Sequence, residues 1–373
     1  MRTKNIVVTG SDGFIGGHLL RKMMQEDGIE PVPCDRETFQ SSSQLGQIIS
    51  QASVVLHFAG VNRGSEEEVA TTNKQLAAQL ISAIRESGGS PHVIFASTTQ
   101  RDNNSPYGQS KRAAENLLID AGKELGFPVT VLVIPNVFGP GCRPFYNSVV
   151  ATFCHQLAVG ETPEIIEDRE VEFVSVYDLA TSVTQHIQRP ANGIQFIFIP
   201  FTAVLNVSEV LERLSRYHDL YFHKNVVPDI SNPLDASLYA TFLSHIRLDA
   251  HRHRPTIHTD ERGRLFEIIK LNNGGQIFFS TTRPGVVRGN HYHTRKIEWF
   301  CVLKGNAVIR LRRIGHGQIR EFYVSGEQPE FISIPVLHSH SIENVGDEEL
   351  LTMFWCSEIF DAADPDTIYE KVA

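Results

Sequence analysis

Ile6-Val7-Val8-Thr9-Gly10-Ser11-Asp12-Gly13-Phe14-Ile15-Gly16 is the stretch whose reading decides the fold of the first half of this chain. Three β-branched apolar residues form a strand, glycines break it into a turn, and an apolar helix start follows. Gly10 permits the tight turn, Gly13 lets the backbone approach a pyrophosphate, and Gly16 lets the helix pack closely, while the helix N-terminus offers N–H donors to an anion. The spacing is GxxGxxG rather than GxGxxG, so the strand before and the helix after it make this a nucleotide site rather than an ordinary turn. Asp12, Phe14 and Ile15 complete the turn and are expected to meet the cofactor with the glycines.

Outward from this turn the same rhythm continues. Strand-like runs at 5–9, 54–58, 93–96 and 129–135 alternate with amphipathic stretches at 15–25, 68–85 and 111–125. That alternation predicts an α/β domain with a doubly wound parallel sheet. Asp35 and Arg36 stand at the end of the second strand. A carboxylate there accepts hydrogen bonds from a ribose 2′-hydroxyl, and a guanidinium beside it can neutralise the 2′-phosphate of NADP, so NADPH is the expected cofactor. Phe58, Ala59 and Gly60, just after the strand ending at His57, fit the wall against which adenine would lie.

From about Ile257 the texture changes to short β-rich runs at 276–282, 299–303, 307–312 and 331–334, separated by Gly, Pro and Asn, which predicts an all-β sandwich or barrel. Between the two textures, the polar segment 246–255 (IRLDAHRHRP) reads as a linker, with the boundary near Arg254, a domain at 1–245 and a second at 256–373. His251 and His253 mimic the spacing of a metal pair but are expected to be solvated linker residues.

The bulk composition fits two soluble cores: 373 residues, 41% hydrophobic and 21% charged. The formal charge of −9 leaves no basic surplus to replace counterions along a nucleic acid. The N-terminal apolar stretch lacks a charged n-region and cleavage site, and no stretch is long enough to span a bilayer, so no membrane association is expected. Five scattered cysteines without a CxxC pair fit a reducing cytoplasm.

Tyr107-Gly108-Gln109-Ser110-Lys111 puts a phenol and an ammonium four residues apart at a helix start, on one face. The ammonium is expected to lower the phenol's pKa toward working pH, so that it can protonate a carbonyl oxygen as hydride reaches the carbon. Upstream, a hydroxyl at the end of the 93–96 run can hold the same oxygen, Thr98 being the first choice and Ser97 the second. Together with the glycine turn this resembles the extended short-chain dehydrogenase/reductase family acting on nucleotide sugars, over about residues 3–245, with a Rossmann-type fold. The resemblance implies Thr98, Tyr107 and Lys111 as the catalytic set, Asn73 as support for the lysine through water, and Asn136 in PNVFGPG on the substrate side. The family's usual arginine near that motif is absent, with Ile134-Pro135 in its region. Asn147 and Arg169 are further candidates for the uridine diphosphate, and 173–178 resembles the family's late strand-and-helix segment.

In the second half Gly285, His291, His293, Glu298 and Gly305 spell G-x5-HxH-x4-E-x6-G. On a strand His291 and His293 point to one face, so two imidazoles can meet one ion. The later run Pro335–Asn344 adds His338 and His340. These segments resemble the two motifs of the cupin superfamily, a jelly-roll barrel, and the resemblance implies His291, His293, Glu298 and His340 as ligands of a divalent metal, zinc by the same resemblance. Leu337 replaces the second motif's usual glycine. His338 reads as a spare ligand, a base or a core histidine.

The order and length of the two halves resemble the bifunctional capsular polysaccharide enzyme family that makes UDP-2-acetamido-2,6-dideoxy-L-talose. That resemblance implies that the cupin epimerises C3 of a UDP-linked 4-keto-6-deoxy-N-acetylhexosamine and the reductase then reduces C4 with NADPH, toward N-acetyl-L-fucosamine for capsule or O-antigen. It also implies a homodimer. Three other readings stay open: a reductase or epimerase of single activity with a structural cupin, a non-catalytic nucleotide-sugar sensor, and a cupin oxygenase fused to a dehydrogenase.

Overall fold

The computed structural model describes residues 3–189, 192–251, 256–294 and 296–373, so His253 and Arg254 lie outside the described residues. Contacts divide the chain into two units, Met1–Ser215 with Asn232–Ile246 and Arg216–Ser231 with Arg247–Ala373. The chain therefore passes between units more often than a single boundary near residue 254 would have it. Residues 216–231 group with the C-terminal unit because β10 (Val226–Val227) pairs in parallel with a strand at 263–271.

The N-terminal unit is built on β1 (Lys4–Thr9), β2 (Ile29–Cys34), β3 (Val54–His57), β4 (His92–Thr98), β5 (Val129–Ile134) and β8 (Ile194–Phe198), ordered β2-β1-β3-β4-β5-β8 and parallel throughout. Because a strand's side chains alternate between faces, each strand feeds two cores. Val7, Val55, Val93, Phe95, Val131 and Val133 pack on one face. Ile6, Val8, Leu56, Ile94, Leu132 and Ile134 pack on the other. Burial on both sides makes the buried stretches of the central strands β1, β3, β4 and β5 mostly apolar rather than alternating, while the edge strands β2 and β8 are partly exposed along most of their length.

Helix Glu66–Ser87 starts at Ser65, whose side chain accepts from Glu68 N, and ends at Gly88 with φ +65°. Helix Pro106–Leu125 starts at Ser105, whose hydroxyl accepts from Gly108 N at 3.0 Å, with Pro106 in the first turn where no N–H is needed. A smaller sheet of β6 (Asn136–Phe138), β7 (Glu170–Ser175) and β9 (Ala203–Asn206) escaped the periodicity reading. The expected strand-and-helix segment at 173–178 is the end of β7 and the start of helix Val176–Ile187. The order of the large sheet reverses between β1 and β3, which opens a crevice at their carboxyl ends.

The C-terminal unit pairs two sheets. One takes β11 (Ile257–Asp260), β12 (Gly263–Leu271), β13 (Gly275–Thr282), β15 (Glu298–Lys304), β18 (Phe331–Ile334) and β20 (Leu350–Cys356), together with β10. The other takes β14 (Val287–Tyr292), β16 (Asn306–Arg313), β17 (Ile319–Ser325), β19 (His338–Asn344) and β21 (Ile368–Tyr369), in the order β17-β16-β19-β14-β21. Apart from β10, every pairing is antiparallel. The core between them holds Phe300, Val302, Ile309, Leu311, Ile342 and Phe354. Both fold classes expected from the sequence are present. Among the described residues, no helix is long and apolar enough to cross a membrane.

Candidate functional site

The glycine turn after β1 is demanded by packing before any ligand is considered. Gly10 has φ +70°, and a Cβ added there would lie 2.9 Å from Ala59 N. A Cβ on Gly16 would come within 2.1 Å of Gly10 O, so the helix can approach the strand only without a side chain. A cleft of about 530 Å³ opens at this turn. Gly10, Asp12, Gly13, Phe14, Ile15 and Gly16 line it, with Phe58 and Gly60 from the end of β3. Asp35, Arg36 and Ala59 are not among the lining residues. Asp35 is exposed and caps the helix Arg36–Gln40 by accepting from Thr38 N at 2.8 Å. The Ala59 N–H is turned onto Thr9 Oγ1 at 3.2 Å.

The same cleft gathers Thr98, Tyr107 and Lys111. Thr98 Oγ1 accepts from Gln100 N at 3.2 Å, and its hydroxyl lies near enough the Tyr107 phenol to act on its titration. Ser97 is committed elsewhere: its Oγ donates to Glu115 Oε2 at 3.0 Å, and Glu115 is buried and paired with Arg101. That leaves Thr98 as the hydroxyl facing the phenol. Lys111 is buried with Nζ 4.3 Å from the Phe95 ring centroid. Burial pulls its pKa down to about 8 against the attraction of Glu115. Asn73 ties this corner together: its Nδ2 donates to Val61 O and Ser110 Oγ, both at 2.9 Å, and its Oδ1 accepts from Val61 N.

One sequence expectation is corrected here. The Tyr107 phenol is not lowered; burial, then the neighbouring Tyr146, push it up to about 12, and only the Thr98 hydroxyl works the other way.

On the far wall Asn136 and Asn147 line the cleft, while Arg169 lies outside it, exposed beside Glu167. Arg143 and Tyr146, which sequence reasoning missed, line it too, with the Arg143 guanidinium 5.6 Å from the Tyr146 ring centroid. They sit in an irregular stretch between β6 and helix Val149–Ala158, where no periodic pattern flags a residue.

In the C-terminal unit, His291, His293, Glu298 and His340 each turn one ligand atom inward, and these atoms lie within 4.8 Å of one another. They come from β14 and the residue just past it, β15, and β19, with His291 paired to His340 across the sheet. Gly289 permits that approach, because a Cβ there would lie 2.7 Å from His340 O. His293 Nδ1 donates to Asp366 O at 2.5 Å, and His340 Nδ1 donates to His338 O at 3.1 Å. With the ring N–H groups so used, both Nε2 atoms face Glu298 Oε2 at 3.1 and 3.2 Å, and all three are buried without a hydrogen-bond partner. Converging lone pairs of this kind repel one another unless a cation lies between them, so the donor set fits a divalent metal. Burial, then the neighbouring His340, push the His291 imidazole down to about 4, which keeps it neutral and able to ligate.

Leu337, in the place of a glycine, keeps a glycine's backbone at φ +58°. His338 stands outside the cluster, its Nδ1 on Val336 O at 2.9 Å. His251 hydrogen-bonds the Tyr221 hydroxyl at 2.9 Å through Nδ1.

Residues 6–198 match the NAD dependent epimerase/dehydratase family, and residues 258–368 match the polysaccharide biosynthesis C-terminal domain. The chain is 34% identical, over 97% of each chain, to the UDP-2-acetamido-2,6-beta-L-arabino-hexul-4-ose reductase of Pseudomonas aeruginosa. The capsular polysaccharide assembling protein CapF of Staphylococcus aureus superposes with a TM-score of 0.86 at 30% identity, covering 99% of this chain and all of that one. A UDP-glucose 4-epimerase of Thermotoga maritima, 21% identical over 64% of this chain and 98% of its own, has a TM-score of 0.55 and shares the fold.

Proposed function

Because the chain belongs to the NAD dependent epimerase/dehydratase family, and along nearly its whole length to that of the P. aeruginosa hexulose reductase, we propose that it is a bifunctional UDP-sugar enzyme of surface polysaccharide synthesis. The C-terminal unit epimerises C3 of UDP-2-acetamido-2,6-dideoxy-4-hexulose, and the N-terminal unit reduces its C4 ketone to give UDP-2-acetamido-2,6-dideoxy-L-talose. The observation that carries this reading is one chain holding both a Thr98–Tyr107–Lys111 cleft and a buried quartet of converging ligands.

When bound, NADPH supplies the hydride, and a divalent cation, zinc in this proposal, supplies the Lewis acidity that stabilises charge as the C3 proton leaves. Gly10, Gly13 and the helix start at Phe14 cradle the pyrophosphate, and Asp35 and Arg36 are assigned the adenosine ribose and its phosphate. Tyr107 protonates the C4 oxygen, Thr98 hydrogen-bonds that oxygen, and the Lys111 ammonium favours the charge Tyr107 takes on. Asn136, Asn147 and Arg169 are assigned to the nucleotide sugar. His291, His293, Glu298 and His340 hold the cation, and His338 is assigned the proton at C3. Only a ketone at C4 acidifies that proton, so epimerisation precedes reduction. The enzyme acts as a homodimer in the cytoplasm.

NMR of the 4-keto sugar in D2O tests the reading. Zinc-loaded protein should exchange the C3 proton without NADPH, and NADPH should then be oxidised stoichiometrically with product. Reduction without exchange would leave a reductase with a structural cupin. Neither reaction would leave a nucleotide-sugar sensor.

A further inference from the structure

His293, Thr294 and Lys296 are gripped from a distant part of the chain. Asp366 O accepts the His293 Nδ1–H at 2.5 Å. Among the described residues, the Asp366 carboxylate accepts from Thr294 Oγ1 at 2.6 Å, Thr294 N at 3.0 Å and Lys296 N at 3.0 Å. Lys296 Nζ reaches the adjoining Pro365 carbonyl. Asp366 itself holds φ +40°, a left-handed conformation that an aspartate tolerates better than most residues and that persists only where its surroundings over-determine it.

We propose that Asp366 is a positioning residue of the metal centre: its carbonyl fixes the tautomer of His293 and its carboxylate fixes the backbone that sets His293 against Glu298. The inference rests on the metal reading above and deepens it. An imidazole whose outer nitrogen is held by a carbonyl is oriented and made more basic toward the ion, and losing such an outer contact costs roughly 10–100-fold in metal affinity. A second set of contacts anchors the tail independently. Glu370 N donates to Asn290 O at 2.9 Å, Val372 N to Asn290 Oδ1 at 3.2 Å, and Arg312 Nε to Val372 O at 3.0 Å. Removing the Asp366 carboxylate therefore leaves the tail in place and frees Thr294 and Lys296.

Competition for Zn²⁺ between the full-length protein and a chromogenic chelator tests this, alongside the melting temperature with and without zinc. Asp366→Ala, which keeps the carbonyl and removes the carboxylate, should bind zinc up to about 10-fold more weakly than wild type, with a smaller zinc-induced rise in melting temperature beyond the apo stability lost with the freed Thr294 and Lys296 donors. Asp366→Asn, which keeps one acceptor oxygen, should fall between. Thr294→Val removes a single bond and should lose a few-fold, which provides a reading even if the alanine variant folds poorly. Wild-type affinity in Asp366→Ala, or equal losses of apo and zinc-bound melting temperature, overturns the proposal while His340→Ala still abolishes binding. No zinc uptake by wild-type protein overturns the metal reading itself.

Discussion

The N-terminal cleft and the C-terminal quartet solve the problem of holding a ligand in opposite ways. In the cleft most polar side chains behind the surface are already satisfied, Asn62 Oδ1 excepted: Asn73 makes three hydrogen bonds, and Ser97 is spent on Glu115. Room for a ligand there is a cleft of about 530 Å³ lined by the backbone of Gly10, Gly13 and Gly16, whose missing side chains let helix and strand pack closely behind it. In the quartet the bonding is incomplete, with His293 Nε2, His340 Nε2 and Glu298 Oε2 buried and unpartnered. Gaps suit a large flexible ligand that brings its own charge and is bound by backbone, whereas unfulfilled lone pairs suit a bare cation. The consequence is energetic as well as functional, since leaving the cleft empty costs little and leaving the quartet empty keeps buried acceptors facing one another.

The comparison breaks most directly by disabling each region in turn. Tyr107→Phe should lower kcat for ketone reduction by about 10²–10⁴ while zinc content and C3 exchange stay at wild-type levels, and His340→Ala should lose zinc and C3 exchange while still reducing ketone already epimerised by the wild-type protein. If Tyr107→Phe also abolished exchange, the two regions would not be separate catalytic centres. Stopped-flow NADPH oxidation and NMR exchange on the same preparations read both.

A smaller effect concerns pH. Burial pulls Lys111 down to about 8, so its ammonium is present below that pH and lost above it. The kcat/KM for reduction should therefore fall as pH rises through about 8, and Lys111→Arg should remove that limb because a guanidinium does not titrate there. For stability the sign is opposite. Between pH 8 and 10.5 the unfolded chain holds the proton that the folded chain has released, so this residue's contribution to stability rises with pH across that window. A reduction profile flat to pH 10 would mean that Lys111 does not assist through its charge.

The smallest change is expected at Leu337. Its left-handed backbone costs a leucine about 1–2 kcal/mol, partly offset in a glycine by greater unfolded-state entropy. Leu337→Gly should raise the melting temperature by a few degrees at most, with zinc affinity unchanged. A marked fall by calorimetry would show that the half-exposed leucine packs more than its backbone strains.

The glycine turn and the 129–135 run were legible because their chemistry is local. A strand buried on both faces is apolar except where a polar side chain finds a partner, as Thr130 does in His92, and a tight turn into a helix must use glycine. Helix ends were less legible by periodicity: the amphipathic pattern covered only 111–125, although the YxxxK spacing already placed Tyr107 at a helix start, and the helix begins at Pro106, capped by Ser105. Arg143 and Tyr146 were invisible for the related reason that irregular backbone imposes no spacing on the residues that face a cleft.

By itself the sequence determined the two fold classes, the YxxxK pair and the HxH-x4-E spacing, since each depends on neighbours a few residues apart. Only the tertiary structure decided that Ser97 belongs to Glu115 and Thr98 to the phenol, that Tyr107 is raised rather than lowered, and that Asp366 closes on His293 across 73 residues. Solvation and long-range hydrogen bonding depend on what surrounds a group in space, and chain spacing does not record it.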